Sequence, residues 1–431
     1  MAPENTEKSK LLTESTVNGE DKLSSLPTWI NEENFQSVFE ENIPGYRKTL
    51  SFEVKETGGG GENYASMMMR VKAKVELKDG STKDIAFMIK TTPQGEQGAA
   101  MVTMMGLFPK ETAMYGKYLL EFEKMYRSVG KEVTFGPKFY KLKNDPGVEY
   151  VLLEDISPRG FKNVNRQNGL DMDHTNSVLK ILAQLHAVSA VRYELKGDYE
   201  ESFMKSPFNE DSRESLDAMM KPMIKVIKEC YAKHETGIKY LPKLELLFDK
   251  MIEKFIDENK LNLNEFNVIV HGDLWSNNIM FRHNDEGKRE ETILIDYQMS
   301  RFATPVVDLF YFLLSSPSLD IKVSCFDEFI QFYYDNLVEN LKLLNYPKKL
   351  PTLKQLRMDL LKYSSFGVST LTGILAAILL DPTENANIDN FLEENTEATD
   401  FKTKLYDNPR YIKHLEVILP WMDKMGYLDE S

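Results

Sequence analysis

Polar and apolar residues alternate along Ser51-Phe52-Glu53-Val54-Lys55-Glu56 and again through Met69, Val71, Ala73, Val75 and Leu77, the two-residue period of half-buried strands. Lys78-Asp79-Gly80-Ser81 follows as a hairpin signal, because Asp-Gly supplies the positive φ angles of a tight turn. A third strand is expected over 84–90, stopping before Pro93, and two more over 138–143 and 149–154. Thr57-Gly58-Gly59-Gly60-Gly61-Glu62-Asn63 lies between the first two strands, so that turn is stripped of side chains. A helix over 27–39 precedes this block, and another over 107–129 interrupts it, with Phe108, Glu111, Met114, Tyr115, Tyr118 and Phe122 in helical spacing.

Beyond the Gly-, Pro- and Asn-rich stretch 155–168 the period becomes helical. Helices are expected over 175–190, 216–234, 241–261, most of 308–380, and 411–425. Short apolar strands at 267–270 and 292–295 end at His271 and Asp296. The pattern predicts an α+β, protein-kinase-like molecule, with a small antiparallel β-rich N-lobe before a larger, mainly helical C-lobe. The expected division is a disordered polar tail at 1–26, an N-lobe at 27–155 and a C-lobe at 156–431.

Composition narrows the class. A 42% hydrophobic fraction over 431 residues can fill two lobes. The net charge of −14 argues against a nucleic-acid partner, whose phosphate backbone demands clustered Lys and Arg, though not against a small nucleotide met locally. Cys230 and Cys325 fit no metal or disulfide framework, and residues 1–26 hold no apolar signal core, so a reducing, cytoplasmic setting is expected. The uncharged run 366–380 is too short for a bilayer and reads as a buried helix, leaving no membrane span. No protein partner is evident.

The chemistry concentrates in Val268-Ile-Val-His271-Gly272-Asp273-Leu274-Trp275-Ser276-Asn277-Asn278. Asp273 and Asn278 stand five apart, the spacing at which a kinase catalytic Asp accepts the substrate hydroxyl's proton and an Asn holds Mg²⁺. Asp296 ends a strand 18 residues after Asn278, where a second metal ligand is expected; one amide and one carboxylate suit Mg²⁺ completed by phosphates and water. In the front lobe, Gly59, Gly60, Gly61 and Asn63 offer a backbone cradle for the ATP phosphates. The Gly-x-Gly-x-x-Gly match is incomplete, since Tyr64 takes the third position. Lys90 ends the third strand as the phosphate-binding Lys and Glu111 is its helical partner, with Lys83, Glu121 and Glu123 as neighbours that could substitute.

Gly272 stands where protein kinases carry the Arg of His-Arg-Asp, and only eleven residues separate Asp296 from Asp308. That leaves no room for a peptide-docking activation segment, so the acceptor is expected to be small. His186 reads as a core histidine, His271 as a brace of the catalytic loop, Asp308 as its backbone anchor, Trp275 as packing, and Met67–Met69 and Met219–Met220 as core filler.

Gly61-Glu-Asn-Tyr-Ala-Ser66, Ile89-Lys-Thr-Thr-Pro93, Leu153-Glu154-Asp155, Arg159-Gly-Phe161, Leu182-Ala-Gln-Leu-His-Ala187, His271 to Phe281 and Ile295-Asp-Tyr-Gln298 together resemble the ecdysteroid-kinase-like (choline-kinase-like) family within the aminoglycoside and choline phosphotransferases. Trp275 and Gln298 discriminate most. The resemblance implies Asp273 as catalytic base, Asn278 and Asp296 as Mg²⁺ ligands, and Lys90 as an ATP contact, with Glu154 placed among the nucleotide-binding residues. It also implies an ecdysteroid or related steroid or xenobiotic alcohol as acceptor. Choline or aminoglycoside phosphorylation, and a catalytically weak binding protein, stay open alternatives.

Overall fold

The computed structural model describes residues 26–57, 66–92, 102–144, 146–383, 390–391, 393 and 395–429. The expected N-terminal tail up to residue 25 and the loop holding Gly59, Gly60, Gly61 and Asn63 lie outside these residues.

Helix α1 (Glu32–Asn42) starts later than its apolar pattern suggested, because the Asn31 side chain accepts from the Asn34 N–H at 3.0 Å and so fixes the first turn there. Phe35, Val38 and Phe39 form its buried stripe. They pack on a five-stranded antiparallel sheet in the order β1-β2-β3-β5-β4, comprising β1 (Tyr46–Thr57), β2 (Met67–Leu77), β3 (Thr82–Thr91), β4 (Phe139–Tyr140) and β5 (Tyr150–Glu154). Met69, Val71, Ala73 and Val75 are the inward positions of β2, as their alternation requires. Gly80 takes φ +83° in the β2–β3 turn, while Asp79 Oδ1 accepts from the Ser81 N–H at 2.9 Å. The expected 138–143 strand shrinks to the two residues of β4.

The helix expected at 107–129 is present in three parts: α2 (Leu107–Ala113), a π-helical turn at Met114–Tyr118, and α3 (Leu119–Ser128). The C-lobe is organised around α4 (Met172–Lys196), capped by Asp171 and buried along most of its length. Around it lie α5 (Arg213–Tyr231), α6 (Glu235–Asp249), α7 (Met251–Glu258), α8 (Val306–Ser315), α9 (Phe326–Leu343), α10 (Leu353–Lys362), α11 (Ser365–Thr372), α12 (Ile374–Leu379), α13 (Thr396–Tyr406) and α14 (Pro409–Lys424).

Two expected helices are each broken. The 241–261 segment splits between α6 and α7 at Lys250, and the uncharged 366–380 run splits at Gly373, which has φ −106° and ψ −100°. No helix among the described residues is long and apolar enough to cross a membrane.

Small strands present the polar loops. β7 (Val268–Val270) pairs with β10 (Arg301–Ala303), and β6 (Phe161–Lys162), β8 (Ile279–His283) and β9 (Arg289–Leu294) form a second small sheet. β6, β8 and β10 are too short or too polar to show an alternating pattern. The antiparallel sheet in front of a helical body defines a two-lobed α+β kinase-like fold.

Candidate active site

The loop 271–278 runs from β7 to β8, and a buried acid holds its backbone. Asp308, in the first turn of α8, accepts from the His271 N–H at 2.7 Å and the Gly272 N–H at 2.8 Å. His186 of α4 approaches the same carboxylate at 3.1 Å and is backed by the Tyr333 hydroxyl at 2.7 Å. Burial would push the Asp308 carboxyl up, but the His186 and His271 rings and the loop amides hold it below the usual carboxylate range.

Gly272 adopts φ +81°, and a Cβ there would fall 2.4 Å from the Met299 carbonyl oxygen. The position therefore excludes any side chain, Arg included. His271 donates from Nε2 to the Ile295 carbonyl at 2.9 Å, and its other ring nitrogen faces the Asp273 N–H at 3.4 Å. Burial pushes this imidazole down, so it is a neutral brace between the loop and the end of β9.

Both oxygens of Asp273 are held. The Asn278 amide donates to Oδ2 at 3.0 Å and to the Asp273 backbone carbonyl at 2.8 Å, while the Tyr311 hydroxyl of α8 donates to Oδ1. Burial, reinforced by the nearby Asp296 charge, pushes the Asp273 carboxyl up to about 7 despite these donors. Asp296 follows β9 in a left-handed conformation (φ +67°), and its N–H donates to the Tyr115 hydroxyl at 3.0 Å. Tyr115 sits in the π-helical turn, where the extra residue per turn re-aims a side chain.

Asp296 Oδ1 receives the Lys90 ammonium at 2.6 Å; the same Nζ reaches Glu111 Oε2 at 2.8 Å and Gln298 Oε1 at 3.0 Å. Burial would lower the Lys90 pKa, but the two carboxylates outweigh it and hold the ammonium above the usual lysine range. Glu111 is pushed up by its burial in α2.

Two cavities meet at this cluster. One, of about 500 Å³, lies below the sheet and is lined by Met68, Met88, Lys90, Glu111 and Leu153; the other, of about 430 Å³, lies in the C-lobe beneath Asp273 and Tyr311. Asn278 and Asp296 line both. The Asn278 amide nitrogen is committed to Asp273, so its free end is the carbonyl oxygen; with the Asp296 carboxylate this is a hard-oxygen pair that fits Mg²⁺. Among the described residues no group of three or more His, Cys, Asp or Glu could hold a metal, so a cation here would depend on phosphate and water for its remaining ligands.

Lys90, Glu111, Asp273, Asn278 and Asp296 are thus brought together from four separate segments: β3, α2, the 271–278 loop and the residue after β9. Glu154 stays apart: it lines the larger cavity, but its carboxylate is engaged by Arg159 at 3.3 Å and its N–H by the Lys138 carbonyl at 2.8 Å. Tyr311, Tyr115's contact with Asp296 and Gln298's contact with Lys90 had no site reading in the sequence. Tyr311 does sit three residues after Asp308 on the same helix, a spacing that could have flagged it. Trp275, expected to pack the loop, is buried and also walls the smaller cavity, which Met219 and Met220, read as core filler, line as well.

A two-lobed fold with a buried Lys–Glu pair and an Asp–Asn loop over a second acid defines a kinase-like protein. Residues 60–346 match the family model described as the ecdysteroid kinase-like family, and the chain belongs to that family. No curated protein matches the chain.

Proposed function

We propose that the protein transfers the γ-phosphoryl group of ATP to a hydroxyl of a mostly apolar small molecule, with an ecdysteroid or a related steroid or xenobiotic alcohol as the acceptor class. The observation that carries this reading is the meeting of the two cavities at Asn278 and Asp296, beside Asp273. One cavity offers Lys90 to phosphates; the other offers an apolar bed whose polar end is Asp273. Asn278 and Asp296 would hold Mg²⁺, which neutralises the phosphate charge when bound.

In the reaction the acceptor oxygen forms the new O–P bond, the bond from the γ-phosphorus to the β,γ-bridging oxygen breaks, and ADP leaves. The hydroxyl proton passes to Asp273, whose two held oxygens keep the carboxylate aimed at the acceptor. A carboxyl raised to about 7 is a better proton acceptor than an ordinary aspartate near neutral pH. Lys90 neutralises the phosphates, and most of the catalytic effect is positioning and charge stabilisation.

The test is Asp273→Asn, assayed with labelled ATP against steroids, plant alcohols and choline. Turnover of the acceptor found with the wild type falls by about 10²–10⁴ fold, while Mg-ATP still raises the melting temperature. Undiminished turnover would overturn the assignment.

A further inference from the structure

We infer that the acceptor cavity takes an apolar molecule that carries, besides its hydroxyl, an anionic group such as a carboxylate or sulfate, and that Arg301 binds that group. This deepens the kinase reading and rests on it for the identity of the cavity.

Among the described residues, the charged side chains lining the cavity are Asp273, Asp296 and Arg301. Both acids are already engaged, Asp273 by Tyr311 and Asn278, and Asp296 by Lys90. Asp273 keeps its charge, since both of its donors are neutral, but it is the proposed proton acceptor; among the described residues no carboxylate lines the cavity away from the reacting hydroxyl to hold a quaternary ammonium or an aminoglycoside amine.

Away from the reacting hydroxyl the charge on the wall is positive. Arg301, on β10, is 4% exposed, and its guanidinium donates to the neutral Asn259 Oδ1 at 2.8 Å. Its Nε is buried with no hydrogen-bond partner, and although the Asp308 charge acts on it through space, no carboxylate among the described residues comes within ion-pair distance. Lys110, on α2, is 3% exposed, and its ammonium makes no hydrogen bond or ion pair among the described residues. It lies near enough to Arg301 for the two charges to repel, and Leu107, one turn earlier on the same helix face, lines the cavity.

A buried cation with no counter-charge in contact is costly, and one donor left unmade adds to the cost. Burial with Arg301's repulsion pushes Lys110 down to about 8, and burial pushes Arg301 down to about 10. An anion on the acceptor supplies Arg301 with a contacting partner and offsets the repulsion that Lys110 meets. The rest of the wall is apolar and adaptable, with Met219, Met220 and Met223 of α5 facing Phe208 and Phe255. A cavity of about 430 Å³ is of ligand size.

The experiment is calorimetric titration with lithocholic acid, which carries one hydroxyl and one carboxylate, and with its neutral methyl ester. The wild type binds the acid about 10-fold or more tighter than the ester. Arg301→Gln removes that preference and leaves ester affinity within about twofold. If Arg301→Gln does not fold, Lys110→Met carries the same comparison, with a smaller but definite loss of acid preference. Equal or tighter binding of the ester, survival of the preference in Arg301→Gln, or acid affinity weaker than about millimolar overturns the inference. Labelled ATP added to the same complexes tests the kinase reading separately: an intact acid preference without phosphoryl transfer would sink that reading alone.

Discussion

Lys90 is the buried cation on which the charges of the site converge. Its ammonium is almost fully buried and faces two carboxylates and one amide oxygen, from α2 and from the segment after β9. In water each of these groups would be solvated; here they solvate one another, so the arrangement holds only while all are present. Lys90→Met leaves Glu111 and Asp296 facing each other with no cation. The expected outcome is a loss of about 3 kcal/mol in urea denaturation, the order found when one partner of a buried ion pair is removed, together with loss of the Mg-ATP melting shift. Unchanged stability would show that the cluster is wetter than its burial indicates. The contact with Asp296 also means that Lys90 occupies the carboxylate proposed for Mg²⁺, so nucleotide binding must reapportion this ion pair.

At the scale of elements, the site depends on places where regular structure stops. The loop after β7 turns because Gly272 accepts φ +81° and brings its Cα against the Met299 carbonyl. Gly272→Ala combines left-handed strain of about 1–2 kcal/mol with a clash at 2.4 Å against backbone that cannot swing away. The expected result is turnover reduced by about 10-fold or more, as misplacement of reacting groups brings, with the circular dichroism spectrum unchanged. Wild-type turnover would contradict it. The break at Gly373, where a Cβ would sit 2.8 Å from the Ser369 carbonyl, falls on the acceptor cavity wall. The π-helical turn at Met114–Tyr118 brings the Tyr115 hydroxyl to the Asp296 N–H. Each interruption lies beside one of the two cavities or the cluster between them.

Across the whole molecule, the C-lobe core also encloses groups that have no part in the chemistry. His414 of α14 is buried, and its Nδ1 has no partner; burial, helped by repulsion from Lys322, pushes it down to about 3 from an ordinary value of 6.5. Between those values the unfolded chain binds the proton and the folded chain does not, so stability rises with pH across the window and is lost as pH falls below about 6.5. At pH 5 this group alone costs about 2 kcal/mol relative to neutral pH. His414→Gln removes that share of the acid sensitivity, so urea denaturation at pH 5 and pH 7.5 should show a smaller difference for the variant. An identical difference in both proteins would place the acid sensitivity elsewhere.

The parts of this protein legible in its sequence are those set by local periodicity and by fixed chemical spacing. Alternation over Met69 to Val75 specified a strand, and the apolar spacing of Phe108 to Phe122 a helix. The Asp273–Asn278 interval and the strand ending at Asp296 pointed to kinase chemistry before any fold was visible. Expected and observed elements part at the junctions. A π-turn, a helix broken at Gly373 and the pairing of β7 with β10 depend on what packs against them from distant segments. The two free-energy balances that define the site were likewise invisible along the chain. Lys90 gains its acceptors from residues 206 and 208 positions away, and Arg301 is left short of them. The chain by itself determined which chemical groups were available. Only the tertiary structure decided which of their charges cancel and which stay open to a ligand, because burial removes the water that would otherwise have met them all.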